Sequence, residues 1–252
     1  MRASTARVAS TAPGTARAND AGEGDKAMTA TDTGSNMKVC DKFSDLGRDD
    51  PSRQCRLGIF GGTFDPVHVG HLAAAENVRE TLGLDAVVFM PAGVPVFKLD
   101  KKVTPGEDRL AMCRLAVADN PFFDVSDIEV RRPGNTYTYE TLRVLREHFP
   151  ANVSLYFIAG ADAILSLGKW RNALEISQLA HIVGMARPGY SSEAAAQAIY
   201  AEGQRIEVDF VEVPGLDISS SHVRASARCG RSIRYVVTDE VRDYIMDARL
   251  YC

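Results

Sequence analysis

Two glycines and two histidines near residue 60 have the types and spacing of a phosphate-binding turn. A short apolar run, residues 57–60, leads into Gly61 and Gly62, and His68 and His71 follow where a helical pattern begins. Glycine lacks the Cβ that would keep a phosphate away from the main chain. Unpaired amides and the positive dipole end at a helix start favour an anion. The pattern therefore predicts a strand, a tight glycine turn and a helix entry, and we call residues 61–71 the histidine turn.

The two histidines of this turn are candidates for hydrogen-bond donors to phosphate. They are three residues apart, so a helical first turn would place both rings on one face. Neutral imidazoles can donate to phosphate oxygens without burying a permanent charge. A glycine pair after a strand is often only a turn, so the glycines alone do not separate structure from chemistry.

A second candidate phosphate site lies near the carboxyl end of the chain. Ser219, Ser220 and Ser221, here called the serine turn, precede a helical stretch that carries Arg224. Serines at a helix start are common N-caps. Hydroxyls, free amides and an arginine one turn later can also hold a phosphate. We favour binding over simple capping, because the serine turn would then face the same ligand as the histidine turn.

Other candidates lie where predicted strands end, which is the usual place for ligands in a parallel sheet. Asp162 follows an apolar strand and can either accept from ribose hydroxyls or cap the next helix. Lys98 lies in a loop after an earlier strand. Thr138 is placed to be the N-cap of a helix. Trp170, the only tryptophan, is either packing or a stacking platform.

Strand and helix patterns alternate from residue 56 onward, which predicts an α/β fold with a Rossmann-like, doubly wound parallel sheet. Continuous apolar runs are typical of strands that are buried on both faces. We predict strands at residues 86–90, 122–130, 153–159, 180–185 and 205–213, and helices at residues 70–82, 104–118, 138–149, 191–203 and 238–248, the last of which forms a small helical portion at the carboxyl end. Thr104 is the predicted N-cap of the second helix, with Pro105 at its first position.

Residues 1–54 differ in composition from the rest of the chain. Small, polar and charged residues dominate and aromatic residues are nearly absent, so this segment cannot bury enough apolar surface to offset its chain entropy. Its arginine-bearing start resembles a transit peptide, but acidic residues follow and no apolar stripe forms. We predict a disordered, non-essential extension, with Met37 as a candidate true start, and a catalytic domain over residues 55–252.

Composition excludes several classes of protein. The formal net charge of −4 argues against a general nucleic-acid binder, which needs clustered positive charge. No apolar run is long enough to span a membrane. The five cysteines are scattered, without the spacing of a zinc site or a disulfide framework, and indicate a reducing, cytoplasmic compartment. A homo-oligomer stays possible.

The combination G-G-T-F-D-P-x-H-x-G-H at residues 61–71 resembles the signature of the nucleotidylyltransferase superfamily, in the form found in bacterial nicotinate mononucleotide adenylyltransferases. The segments T-Y-T at 136–138, G-A-D at 160–162, R-P-G-Y at 187–190 and I-S-S-x-x-x-R at 218–224 follow in the family's order, so the resemblance extends over about residues 57–252. One departure is Phe97, which replaces the histidine of the family's P-P-H-K element, whereas Lys98 is retained.

This resemblance implies the nucleotidylyltransferase fold and transfer of AMP from ATP to nicotinate mononucleotide, giving nicotinate adenine dinucleotide and pyrophosphate in NAD synthesis. Mg²⁺ would accompany the ATP, and no other metal is expected. Catalytic roles fall on His68, His71, Lys98 and Arg224; ATP and phosphate contacts on Gly61, Gly62, Thr63, Phe64, Gly70, Asp162, Ile218, Ser219 and Ser220; and mononucleotide contacts on Thr136, Tyr137, Thr138 and Trp170.

Two other functions stay open. A phosphopantetheine adenylyltransferase shares the T-x-D-P-x-H/T-x-G-H element, but such chains are generally shorter and lack the T-Y-T and I-S-S-x-x-x-R pair in this order. A non-catalytic nucleotide sensor could use the same scaffold. Retention of both histidines, Lys98 and Arg224 argues against a sensor.

Overall fold

A parallel sheet of six strands forms the centre of the molecule in the computed structural model, which describes residues 38–94, 103–186, 199–201 and 203–252. The described strands are β1 Cys55–Gly62, β2 Ala86–Pro91, β3 Phe123–Val125, β4 Val153–Gly160, β5 His181–Ala186, β6 Ile199–Ala201, β7 Gln204–Ile206 and β8 Asp209–Glu212. The described helices are α1 Val69–Leu82, α2 Gly106–Ala116, α3 Ile128–Arg131, α4 Thr138–His148, α5 Ala161–Leu165, α6 Ala173–Leu179, α7 Ser220–Arg228 and α8 Asp239–Asp247.

The strand order in the large sheet is β3-β2-β1-β4-β5-β8, and every neighbouring pair is parallel. The order reverses at β1, which lies between β2 and β4. Ligands bind outside the carboxyl ends of the strands at such a switch point. The predicted doubly wound α/β architecture is confirmed, and the topology places the end of β1 at the expected site.

Hydrophobic side chains form one core on each face of this sheet. Leu57 and Ile59 of β1 belong to the core under α4 and α6, whereas Phe60 belongs to the core under α1, α2, α7 and α8. All six residues of β2 are buried. The apolar runs of β1, β2 and β4 therefore form strands that are covered on both sides.

Residues 38–54 pack against the domain, so the predicted boundary after residue 54 is wrong for this segment. The Lys38 N–H donates to the Asp127 carboxylate at 2.6 Å, and Cys40 is buried in the core. The Asn152 side chain donates to the carbonyls of Gly47 and Arg53, both at 2.9 Å. The composition misled because the segment is held mainly through its backbone. Residues 1–37 lie outside the described residues.

Two predicted elements are wrong in type or length. The strand expected over residues 122–130 is only β3, because pairing with β2 stops at Val125 and α3 begins at Ile128. The helix and strand expected over residues 191–213 are replaced in part by the antiparallel β6–β7 hairpin, which turns at Gly203 with φ +77°, and by the separate strand β8. Such a positive φ suits glycine. Residues 187–198 and 202 lie outside the described residues.

Two predicted helix caps are also displaced. Pro105 is the N-cap of α2, and the Thr104 backbone bonds elsewhere, its N–H to Asp65 and its carbonyl to Arg109. Tyr137 is the N-cap of α4, so Thr138 is the first helical residue and not the cap. No helix within the described ranges is long and apolar enough to cross a membrane.

Candidate active site

A cleft of about 770 Å³ opens at the carboxyl ends of β1, β4 and β5. This volume lies within the range of small-molecule sites. Fourteen residues predicted for the site line it: Gly61, Gly62, Thr63, Phe64, His68, Gly70, His71, Thr136, Thr138, Asp162, Trp170, Ile218, Ser219 and Ser220. The structure thus brings the histidine turn and the serine turn to one cleft, together with the segment around Thr138.

The histidine turn differs from the predicted shape at its start. β1 continues through both glycines, and Gly62 still pairs with Pro91 of β2, so the chain turns only after residue 62. A Cβ on Gly62 would lie 2.7 Å from the Phe64 ring. Phe64 adopts φ +50° and is buried against Phe60 at 5.3 Å between ring centroids. The glycine leaves room for this aromatic packing, which holds the turn in shape.

His68 and His71 lie together at the start of α1. His68 is the N-cap and His71 the third helical residue, and their rings stack with centroids 3.7 Å apart and planes at 24°. The His68 N–H donates to Nδ1 of His71 at 3.2 Å. Neutral His71 therefore carries its proton on Nε2. Gly70 makes room for this pair, since a Cβ there would lie 3.1 Å from Nδ1 of His68.

The serine turn is bonded directly to the histidine turn. Ser220 Oγ donates to the Pro66 carbonyl at 2.9 Å. Ser219 is the N-cap of α7, where its Oγ accepts from the His222 N–H at 3.2 Å, and it also lines the cleft. Ser219 therefore both caps α7 and lines the cleft.

Arg224 has a different position from the one predicted. Its guanidinium donates to the Asp65 carbonyl at 2.6 Å and to Ser221 Oγ at 3.2 Å, and it is not among the residues that line the cleft. The residue lies one turn into α7, where its long side chain reaches back to the histidine turn. Arg224 thus joins α7 to that turn.

The far half of the cleft is formed by β4, α5 and the start of α4. Trp170 lies edge-on to Phe157 at 6.0 Å between centroids, and its indole N–H donates to Ser166 Oγ at 3.0 Å. Tyr137 does not line the cleft, in contrast to the prediction, because its ring packs towards the core with the Arg171 guanidinium 4.9 Å from its centroid. Asp162 is exposed in the first turn of α5.

Lys98, predicted to be catalytic, and Phe97 lie outside the described residues. Three other charged or polar residues, which the sequence prediction missed, support the site. Arg109 donates to the Thr63 carbonyl, Glu129 lines the cleft, and the Tyr251 hydroxyl donates to Asp65. A signal existed for Arg109 alone, since it lies on the buried stripe of α2.

Comparison with known proteins assigns this chain to a family. A profile of the cytidylyltransferase-like family matches residues 59–226. A protein of Corynebacterium kroppenstedtii named probable nicotinate-nucleotide adenylyltransferase is 46% identical over 196 residues, which cover 78% of this chain and 90% of the relative. A protein of the same name from Roseiflexus sp. is 48% identical over 195 residues, which cover 77% of this chain and 97% of the relative. The chain belongs to the nicotinate-nucleotide adenylyltransferase family.

A solved structure agrees in fold with this chain. The nicotinic acid mononucleotide adenylyltransferase of Plasmodium falciparum, complexed with NaAD, aligns with a TM-score of 0.64 at 19% identity, covering 78% of this chain and 97% of the other. At that identity the likeness concerns the fold. It confirms the predicted nucleotidylyltransferase fold.

Among the described residues, the donor set of the cleft does not suit a resident metal ion. No group of three or more His, Cys, Asp or Glu side chains converges within the described parts of the chain. The cleft instead presents imidazoles, hydroxyls and helix starts, which are ligands for phosphate.

Proposed function

We propose that the chain transfers AMP from ATP to nicotinate mononucleotide, giving nicotinate adenine dinucleotide and pyrophosphate. The observation that carries this proposal is the meeting of the histidine turn and the serine turn on a cleft whose other half is formed by Thr138 and Trp170. One part of the cleft suits a polyphosphate, and the other suits an aromatic ring with an acidic substituent. The family membership supports the same reaction.

The reaction needs no nucleophilic side chain. An oxygen of the mononucleotide 5′-phosphate forms a bond to the α-phosphorus of ATP, and the bond from that phosphorus to the bridging oxygen breaks to release pyrophosphate. As in other phosphoryl transfers, the protein contributes alignment and charge stabilisation. His68 and His71 donate to α- and β-phosphate oxygens as negative charge grows on the leaving group.

The serine turn holds the outer phosphates. Ser219 and Ser220 lie at the start of α7, so hydroxyls and the positive end of the helix dipole act together on the anion. Lys98 would add a positive charge from its loop. Arg224 acts indirectly, by fixing the histidine turn through Asp65. Mg²⁺ would come as part of the ATP substrate and would neutralise charge on its phosphates.

Selection of nicotinate over nicotinamide follows from the start of α4. Thr138 lines the cleft as the first residue of a helix of eleven residues. Amides at such a helix start favour a carboxylate over a neutral carboxamide. Trp170 is the aromatic ring placed to contact the pyridine, and Asp162 the acceptor placed for ribose hydroxyls.

Pyrophosphate release tests this function. ATP is incubated with nicotinate mononucleotide, nicotinamide mononucleotide, phosphopantetheine or no acceptor, each with Mg²⁺. We expect turnover with nicotinate mononucleotide and much slower release with the amide. Turnover with phosphopantetheine would reassign the substrate, and nucleotide binding without any release would indicate a sensor. Equal rates with acid and amide would contradict the role of α4.

A further inference from the structure

A line of hydrogen bonds runs from the histidine turn through the loop after β2 towards α4. At one end, Arg109 is 1% exposed, and its guanidinium donates at 2.9 Å to two carbonyls that belong to different loops, those of Thr63 and Gly93. Its Nε donates to the Thr104 carbonyl at 2.9 Å. The buried cation thus connects the histidine turn to the loop after β2.

At the other end, the Glu129 carboxyl connects the same loop to the start of α4. The Gly93 N–H and the Thr136 side chain face it and favour its charged form. The Thr141 hydroxyl donates to Oε1 at 3.0 Å. Thr136 and Glu129 both line the cleft, so this end of the line lies under the half assigned to the mononucleotide.

Gly93 is the joint between the two ends. A Cβ at this position would lie 2.1 Å from the Glu129 carbonyl oxygen and 2.8 Å from Cγ2 of Thr136, so only glycine fits there. The next residue, Val94, forms a parallel bridge with Asn135. The loop after β2 is therefore held against the segment that leads into α4.

One end carries a guanidinium donor and the other a carboxyl acceptor, and both act on Gly93. The guanidinium donates to the Gly93 carbonyl at 2.9 Å and the Glu129 carboxyl faces the Gly93 N–H, so both groups favour a single orientation of the backbone at Gly93. Burial raises the pKa of Glu129 and lowers the pKa of Arg109. Each group is thus desolvated, and its hydrogen bonds respond strongly to geometry.

We propose that Arg109 and Glu129 are positioning residues, which through Gly93 fix the two halves of the cleft relative to each other so that the mononucleotide phosphate is aligned with the α-phosphorus of ATP. The proposal rests on the proposed function. Neither residue needs to touch a substrate in order to act. Misplacement of reacting groups by about 1 Å can cost roughly a hundredfold in rate.

The test compares Arg109→Lys, Glu129→Gln and the double variant in steady-state kinetics, with ATP and nicotinate mononucleotide varied separately. Lysine keeps the charge but lacks the fork that reaches several carbonyls, and glutamine keeps the shape but replaces one acceptor oxygen by an NH₂ donor. We expect kcat to fall about ten- to a hundredfold in each single variant. KM for each substrate should stay within about threefold of the wild-type value, because a loss confined to the transition state leaves ground-state binding intact.

The double variant separates a shared path from two independent defects. If both residues act through Gly93, the fold-decrease in kcat of the double variant should be clearly smaller than the product of the fold-decreases in the two single variants. Asn152→Ala is the matched control, because Asn152 also anchors a loop through several carbonyls, those of Gly47, Asp50 and Arg53, but does not line the cleft. This control should unfold at a lower temperature and keep its kcat.

Several results would overturn the proposal. They are an unchanged kcat in both single variants, a rise in KM for one substrate with kcat preserved, and losses that multiply in the double variant. If wild-type protein turns over another acceptor but not nicotinate mononucleotide, the proposed function fails. If wild-type protein turns over nicotinate mononucleotide and the variants have the same kcat, only the positioning role is refuted.

Discussion

A single hydrogen bond sets the chemistry of the imidazole of His71. The His68 N–H occupies Nδ1 of His71, which assigns the proton of the neutral ring to Nε2. The Phe64 ring packs edge-on against His71 at 5.1 Å and limits its rotation. An oriented N–H donor suits a reaction in which negative charge increases on the leaving phosphate.

We predict that His71→Ala lowers kcat by roughly a hundred- to a thousandfold, as is typical when one oxyanion donor is removed. The fold should survive, because the ring lines an open cleft. His71→Gln should recover part of the rate, since its amide N–H can replace Nε2–H. Stopped-time pyrophosphate assays and thermal unfolding measure the two properties. His181→Ala, at the opposite end of the sheet, is the control. A near-wild-type rate for His71→Ala would refute the phosphate contact.

The sequence predicted the residues of the cleft better than the residues that support it. The glycines, histidines and serines could be predicted from the local sequence, because phosphate binding needs those residue types within a few positions. Arg109 and Glu129 could not be assigned in this way, since Arg109 donates to carbonyls in distant loops and Glu129 accepts from the Thr141 hydroxyl of another helix. Tyr137 was predicted to contact the mononucleotide, but it does not line the cleft. Neighbouring residues at the start of α4 have different surroundings, since Thr138 lines the cleft and Tyr137 packs against the core.

At the scale of elements, long buried strands were predictable and short elements were not. Apolar runs specified β1, β2 and β4 because both of their faces are covered by helices. The three-residue strands β3, β6 and β7 depend on partners elsewhere in the chain and carry little local signal. Residues 38–54 were missed for a related reason. They are held by the carboxylates of Asp124 and Asp127 and by the side chain of Asn152, whose roles no local pattern reveals.

We predict that truncation to residue 55 destabilises the protein, whereas truncation to Met37 does not. The longer deletion removes hydrogen bonds to Asp124 and Asp127 and the burial of Cys40. Each such term is worth about 1–3 kcal/mol. The melting temperature should fall by roughly 10 °C or more. Differential scanning fluorimetry of the two truncations, beside the full chain, measures this difference. Equal melting temperatures would show that the contacts of residues 38–54 contribute nothing to stability.

At the scale of the whole molecule, the end of the chain closes on the histidine turn. The Tyr251 hydroxyl, one residue from the carboxyl terminus, donates to Oδ1 of Asp65 at 2.8 Å. Asp65 is buried, and its other carboxylate oxygen accepts from the Thr104 N–H at 3.3 Å. The turn that lines the cleft is therefore supported by residues from α2, α7 and the carboxyl-terminal tail, so local stability at the site depends on the complete fold.

We predict that Tyr251→Phe lowers the free energy of unfolding at pH 7 by about 1.5–3 kcal/mol, the range for a hydrogen bond to a charged group. Burial, and then the charge of Asp65, raise the pKa of Tyr251 above its usual value. A raised folded-state pKa means that the contribution is complete below the unfolded value of about 10 and is lost as pH rises above it. The stability difference between wild type and variant should therefore be constant from pH 7 to about 9 and shrink above about pH 10.

Urea denaturation at several pH values measures this difference. Tyr235→Phe is the matched control, because Tyr235 is 84% exposed and its removal should leave the stability unchanged over the same pH range. If Tyr251→Phe matched the wild type at pH 7, the hydroxyl would contribute no stability to the buried Asp65. A stability difference that grew above pH 10 would reverse the sign of the linkage. It would require that ionised Tyr251 is more stable in the folded state than in the unfolded chain.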